Sequence, residues 1–180
     1  NRVVAVALGW TSPTNQTPTM TIGGVAAKPA IGMLRHGGDL HTAMFYLRVP
    51  TGTTSDFIAS IAGSDNDNID IVVWKVVANN EAPFWNDGKL ALSGGSNSLT
   101  KTGLLSGMVC AAAVYGSGAI SGFTGSWSGS DTLTEHVDAA AGAARVAGYS
   151  VALTGGGDFG VTYNNGSTAY PYIATIAVWQ

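Results

Sequence analysis

The C-terminal stretch Tyr172-Ile173-Ala174-Thr175-Ile176-Ala177-Val178-Trp179 decides the fold class most clearly. Successive side chains of a β-strand point to opposite faces of its sheet, so this stretch divides into two alternating sets. Both sets consist mostly of apolar, β-branched or aromatic residues, which is typical of a strand with two buried faces. The stretch therefore predicts a buried β-strand and an all-β protein.

The same two-sided apolar pattern occurs in Arg2–Leu8 and in Met108–Tyr115. A strand of a lone two-sheet sandwich normally has a polar outer face, so the pattern needs an explanation. Either these are central strands covered by loops, or their second faces pack on another copy or on another protein. A neutral surface of small side chains loses little on desolvation, which favours permanent assembly.

Short apolar segments separated by Gly, Asn, Asp, Ser and Pro recur along the rest of the chain. Gly23-Gly24 is a two-residue hairpin signal, because both positions of a primed turn need positive φ. Between Thr132 and Arg145 a short helix is the alternative to a strand, and the alternation of Leu133, Glu135 and Val137 favours the strand. The predicted strands are Arg2–Leu8, Thr19–Ile22, Val25–Lys28, Leu40–Val49, Phe57–Ala62, Ile69–Val77, Leu99–Leu104, Met108–Tyr115, Ile120–Trp127, Leu133–Val137, Ala144–Leu153, Phe159–Tyr163 and Tyr172–Trp179.

This pattern predicts an antiparallel two-sheet β-sandwich, jelly-roll-like, with an immunoglobulin-like sandwich as the alternative. Residues 1–180 are interpreted as a single domain, either a processed chain or the ordered part of a longer one.

Composition narrows the function classes. Charged residues make up 11% of the chain, against about 25% in ordinary globular domains. The net charge is −3 and the basic residues are scattered, so nucleic-acid binding is not predicted. The sequence has no run of about 18 apolar residues, so no membrane span is predicted. A single cysteine, Cys110, excludes a disulfide within the chain.

Catalytic patterns are weak, and the chain is interpreted as a non-enzyme without a cofactor. The segment Gly125–Gly129 has Trp127 where a nucleophile elbow needs serine. Gly155–Gly160 matches a phosphate-binding glycine pattern but joins two predicted strands, so it is interpreted as a hairpin loop. Paired carboxylates of a glycoside hydrolase remain a third alternative, with these candidates: Glu81, Asp87, Glu135 and Asp138.

Metal binding has two weak candidates. Asp65, Asp67 and Asp70 provide oxygen ligands of the kind that Ca²⁺ prefers, although the segment lacks the glycine and glutamate of an EF-hand loop. His36, Asp39 and His41 lie close in sequence, but an ordinary turn before a strand is the favoured explanation. No metal site is predicted from either group.

Four aromatic residues near predicted strand ends are candidates for glycan binding, because aromatic rings stack on sugar rings. The alternative is that each ring closes one end of the sandwich. The candidates are Trp85, Trp127, Tyr163 and Tyr170.

The order of three segments resembles a known family. Thr21-Ile22-Gly23-Gly24-Val25 is followed by Phe45-Tyr46-Leu47-Arg48-Val49-Pro50-Thr51-Gly52-Thr53, and then by the strand Ile69–Trp74 and a loop containing Pro83. This order resembles β-sandwich modules of tailed-phage virion proteins and of related bacterial surface proteins. The resemblance implies a fibre, tail or head-decoration component present in many copies per particle.

We therefore expect a structural virion or extracellular protein that packs against its own copies and other virion or surface proteins. A carbohydrate-binding module or adhesin that contacts host glycans is the alternative.

Overall fold

The computed structural model describes residues 2–36, 39–49, 51–52, 55–62, 67–91, 95–117, 123–141, 144–165 and 171–180, and this part of the chain is built from β-strands. No helix within these residues has the length and apolarity needed to cross a membrane. The strands are β1 (Arg2–Thr11), β2 (Thr19–Ile22), β3 (Val25–Ala26), β4 (Lys28–His36), β5 (Leu40–Arg48), β6 (Phe57–Ser60), β7 (Asp67–Val77), β8 (Trp85–Ala91), β9 (Gly95–Leu104), β10 (Val109–Ser117), β11 (Phe123–Trp127), β12 (Thr134–Ala141), β13 (Ala144–Ala152), β14 (Gly157–Asn165) and β15 (Tyr172–Trp179).

The predicted all-β antiparallel sandwich is confirmed. Every pair of neighbouring strands is antiparallel, and β12 and β13 form strands where the short helix was the alternative. Gly23 and Gly24 have φ of 59° and 78°, as the predicted primed turn between β2 and β3 requires. Most of β4 and all of β8 were not predicted.

The strands form four sheets that stack in layers. We call β3-β2-β6 the first outer sheet and β4-β5-β1-β7 the first inner sheet. The second inner sheet has the order β12-β13-β10-β15-β8, and the second outer sheet has the order β11-β14-β9. The two inner sheets pack face to face, and each outer sheet covers the far side of its own inner sheet.

Three apolar cores separate these layers. The central core lies between the inner sheets and contains Trp74, Tyr115 and Trp179. One flanking core, with Trp10 and Phe45, lies between the first inner and outer sheets. The other flanking core lies between the second inner and outer sheets, and its members include Tyr149, Phe159, Val161 and Tyr172.

The layered stack explains the strands with two apolar faces. β1, β10 and β15 lie inside the inner sheets, so one face of each contacts the central core and the other contacts a flanking core. They are central strands, as the first explanation held, but neither loops nor a second copy covers their two faces. Sheets of the same chain do.

The two halves of the chain have the same strand order. β1, β2, β4, β5, β6 and β7 of the first half correspond to β10, β11, β12, β13, β14 and β15 of the second, because the inner sheets share the order β4-β5-β1-β7 and β12-β13-β10-β15. The outer sheets share the pairs β2–β6 and β11–β14. We call the two halves the first and second sandwich.

Short sequence identities mark the same correspondence. Asp56-Phe57 opens β6, and Asp158-Phe159 lies at the start of β14. Ile71-Val72-Val73-Trp74 in β7 matches Ile176-Ala177-Val178-Trp179 in β15. Trp74 and Trp179 both lie in the central core, so the two motifs occupy equivalent positions.

Candidate assembly surface

The equivalent strands β7 and β15 differ in how their outer faces are covered. In β15, Ile176 and Val178 are fully buried. In β7, the matching Ile71 and Val73 are 42% and 39% exposed, and Ile69 and Val77 on the same strand are 49% and 63% exposed. The outer face of the motif is therefore covered in β15 and exposed to solvent in β7.

The second sandwich is closed by residues 85–104, which we call the bridging segment. Its first strand, β8, pairs with β15 and extends the inner sheet, and its second strand, β9, pairs with β14 and extends the outer sheet. Leu99 and Leu104 of β9 join the flanking core beside Ile176 and Val178, and Trp85 of β8 packs against the same core.

The first sandwich has no such segment among the residues that the structure describes. β7 and β6 are the edge strands of its two sheets, so the outward backbone groups of both have no neighbouring strand there. Between them lies a groove of about 370 Å³, lined in part by Val4, Phe57 and two cations, Arg2 and Lys75. The groove opens where the second sandwich has its bridging segment.

We call Ile69, Ile71, Val73, Lys75 and Val77 the β7 surface. Burying the exposed halves of its four aliphatic side chains would contribute about 3–6 kcal/mol, at about 1.5–3 kcal/mol for each fully buried side chain. Lys75 interrupts this apolar row, and a lysine on an edge strand is a known guard against indiscriminate pairing. The surface thus combines an unpaired edge, an apolar face and a local positive charge.

The two tryptophans among the glycan-binding candidates are partly buried against the flanking core of the second sandwich. The Lys101 ammonium lies 5.0 Å from the centroid of the Trp85 ring, so one face of that ring is already in contact with a cation. Gly129 and Gly157 pack so closely on Trp127 that a Cβ at either position would overlap its indole ring. The glycan-binding role of Trp85 and Trp127 stays a prediction.

The two tyrosines are less informative. Tyr163 pairs with Phe123 across β14 and β11, and its side chain lies outside the described residues. Tyr170 also lies outside the described residues. Of the four aromatic candidates, the structure therefore describes only the side chains of Trp85 and Trp127.

The calcium candidates are likewise only partly described. Asp65 and the side chain of Asp67 lie outside the described residues. Asp70 is half-buried, its Oδ2 has no hydrogen-bond partner, and burial raises the pKa of its carboxyl. Within the described part of the chain, no three metal-ligating side chains are grouped so that they could hold an ion. The three aspartates thus keep the status that they had from the sequence, as weak calcium candidates without a predicted site.

The histidines and the cysteine lie mostly in buried positions. His41 stacks on Trp10 at 5.1 Å between ring centroids, and its Nδ1 lies 2.9 Å from the carbonyl oxygen of Asp39. His36 is buried, and neither of its ring nitrogens has a hydrogen-bond partner among the described residues. Burial raises the pKa of the Cys110 thiol to about 12, which keeps it protonated and unreactive.

The buried histidines predict a loss of stability in mild acid. Burial lowers the pKa of His36 and of His41 below the ordinary 6.5. Above pH 6.5 both imidazoles are mostly neutral in the folded and in the unfolded chain. Below pH 6.5 the unfolded chain binds protons at these histidines before the folded chain does. The free energy of unfolding should therefore fall as the pH drops from about 7.5 through the ordinary histidine pKa of about 6.5 to about 5. Urea denaturation across this interval measures it, and unchanged or rising stability would show that the histidines are accessible to protons when folded.

Sequence reasoning located β7 but missed its open face. Ile69–Val77 was predicted as an apolar strand, without any statement about which of its faces is covered. The available signal was the repeated Ile-x-Val-Trp motif, which identifies the two strands as equivalents. Which copy is covered depends on where the bridging segment pairs, and strand pairing over that distance is not readable from the pattern.

Comparison with protein-family models, with curated proteins and with solved structures found no match.

Proposed function

We propose that this chain is a non-enzymatic structural subunit of a virion, a capsid-decoration, tail or fibre component that acts by packing against neighbouring subunits. The observation that supports the proposal is the β7 surface, where Ile69, Ile71, Val73 and Val77 are exposed along one edge strand. Contiguous apolar patches on soluble proteins mark interaction sites, and unpaired edges are templates for another strand.

Two features of the sequence agree with this proposal. The low share of charged residues, 11%, leaves a surface that loses little solvation energy when it is buried. The segments Thr21–Val25 and Phe45–Thr53 resemble modules of tailed-phage virion proteins. The proposed location is the virion or the extracellular space, and the proposed partners are other copies and other virion or surface proteins.

The isolated protein should self-associate through the β7 surface, because open edges pair with one another when their partner is absent. Sedimentation equilibrium at about 100 µM is suitable, since an interaction of roughly 5–6 kcal/mol half-saturates there. The double variant Ile71→Lys/Val73→Lys should weaken association ~10-fold or more, because it removes about 1.4 kcal/mol or more of apolar burial.

A matched control is Leu105→Lys, which changes an aliphatic residue that is 62% exposed and lies outside the β7 surface. This variant should associate like the wild type. A wild-type protein that is monomeric at this concentration, or equal weakening by the control, would contradict the proposed function.

A further inference from the structure

We infer that the β7 surface is a strand-acceptor site: a neighbouring subunit inserts two extended strands there, one beside β7 and one beside β6, as the bridging segment does in the second sandwich. The inference rests on the proposed function, and it adds the kind of partner and the mode of binding. It follows from comparing equivalent positions of one chain.

The occupant can be described from the second sandwich. There Trp85 of β8 pairs opposite Val178, and Leu99 of β9 packs in the core beside Ile176 and Val178. The equivalents of Val178 and Ile176 in the first sandwich are Val73 and Ile71. The donated strands should thus place a large aromatic residue over Val73 and an aliphatic residue over Ile71.

The groove adds a constraint of charge. Among the described residues, its lining includes the cations Arg2 and Lys75 and no carboxylate. The Nε atom of Arg2 donates to the carbonyl oxygen of Val49 at 2.8 Å, which holds the guanidinium at the groove. Hence the donated strands should be neutral or acidic where they reach the Val77 end of β7.

A count of segments shows that the donor is not the bridging segment of another copy of residues 1–180. Each copy has two sandwiches that could accept such a segment, and its described residues include one bridging segment, which pairs with β14 and β15 of the same chain. Exchange between copies would fill one site and empty another. The inferred donor is a different segment of similar pattern in a neighbouring subunit, and a peptide of residues 85–104 serves as the probe for it.

The test uses a fluorescently labelled synthetic peptide with the sequence of residues 85–104. The full chain is titrated into this peptide, and fluorescence anisotropy measures binding. Binding should saturate, and it should weaken ~10-fold or more for Ile71→Lys/Val73→Lys, in line with the loss of two buried aliphatic contacts. Leu105→Lys is the matched protein control and should bind like the wild type. A peptide with Trp85→Ser and Leu99→Ser should bind as poorly as the wild-type peptide does to the double variant.

If the double variant does not fold, Val73→Thr takes its place as the probe. Threonine keeps the size and branching of valine, and this variant should also weaken peptide binding. No binding of the wild-type peptide, or equal binding to wild type and both β7 variants, would overturn the strand-acceptor site. If the protein self-associates but does not bind the peptide, the inference fails while the proposed function stands. If the peptide binds β7 but the protein never self-associates, the proposed function fails and the acceptor site stands.

Discussion

Replacement of Trp179 by alanine should lower the free energy of unfolding by about 3–5 kcal/mol, the range for loss of a buried tryptophan or phenylalanine. Trp179 is fully buried in the central core between the two inner sheets. Its indole Nε1 also donates to the carbonyl oxygen of Glu81 at 3.1 Å, which ties the loop after β7 to the end of β15. The substitution would remove both a large buried side chain from the central core and this hydrogen bond.

The loss is large because a domain is stable by only about 5–15 kcal/mol in total. Chemical denaturation followed by circular dichroism measures the change. Trp85→Ala is the matched control, since Trp85 lies on the edge strand β8 and is only partly buried. Equal losses from the two substitutions would mean that the central core does not hold the sandwiches together as described.

Adding one methyl group at Gly9 should destabilise the protein by about 1–3 kcal/mol, the usual cost of overpacking a core. Gly9 lies in β1, where the first inner sheet approaches the second so closely that a Cβ would overlap the ring of Tyr115. Tyr115 is itself buried in the central core, so its ring has little room to move. The glycine is needed for the distance between the sheets.

Gly32 provides the control for this prediction. No heavy atom lies within 4 Å of the Cβ that alanine would add at Gly32, so Gly32→Ala should change the stability by less than about 0.5 kcal/mol or raise it slightly. The double variant Gly9→Ala/Tyr115→Leu should recover part of the loss, because the smaller side chain makes room. If the Gly9→Ala and Gly32→Ala variants are equally stable, the inner sheets do not pack as closely at Gly9 as described.

The elements that the sequence predicted well are those whose local pattern determines their structure. β2 and β15 have the predicted limits, since a two-glycine turn fixes the end of one and a run of eight apolar or β-branched residues fixes the other. The all-β antiparallel class follows from the same alternation. These features depend on neighbours a few residues away in the chain.

Two strands were missed because their sequences contain turn residues. β8 begins Trp85-Asn86-Asp87-Gly88, which is typical of a turn, yet its pairing with β15 makes it an edge strand. Pro29 and Gly32 in β4 are strand breakers, but β4 is also an edge strand and has bulges where pairing shifts. In both cases tertiary pairing outweighs local preference.

The candidate site was the least predictable part. The aromatic candidates were chosen from positions near strand ends, whereas the exposed apolar face of β7 comes from an asymmetry between two equivalent sandwiches. Ile71 and Ile176 lie in nearly identical sequences, and one is exposed because no second bridging segment lies beside it among the described residues. A pattern of alternating residues contains no information on that difference.

Amide hydrogen exchange of β7 compared with β15 tests most directly whether the first sandwich is open and the second closed. In dilute protein, about half of the β7 amides should exchange fast, since an edge strand bonds to one neighbour only, while β15 is protected by β10 on one side and β8 on the other. The fast β7 amides should become protected as the protein is concentrated or as the peptide of residues 85–104 is added. Equal protection of the two strands in dilute protein would contradict the account, as would β7 exchange that neither concentration nor peptide alters.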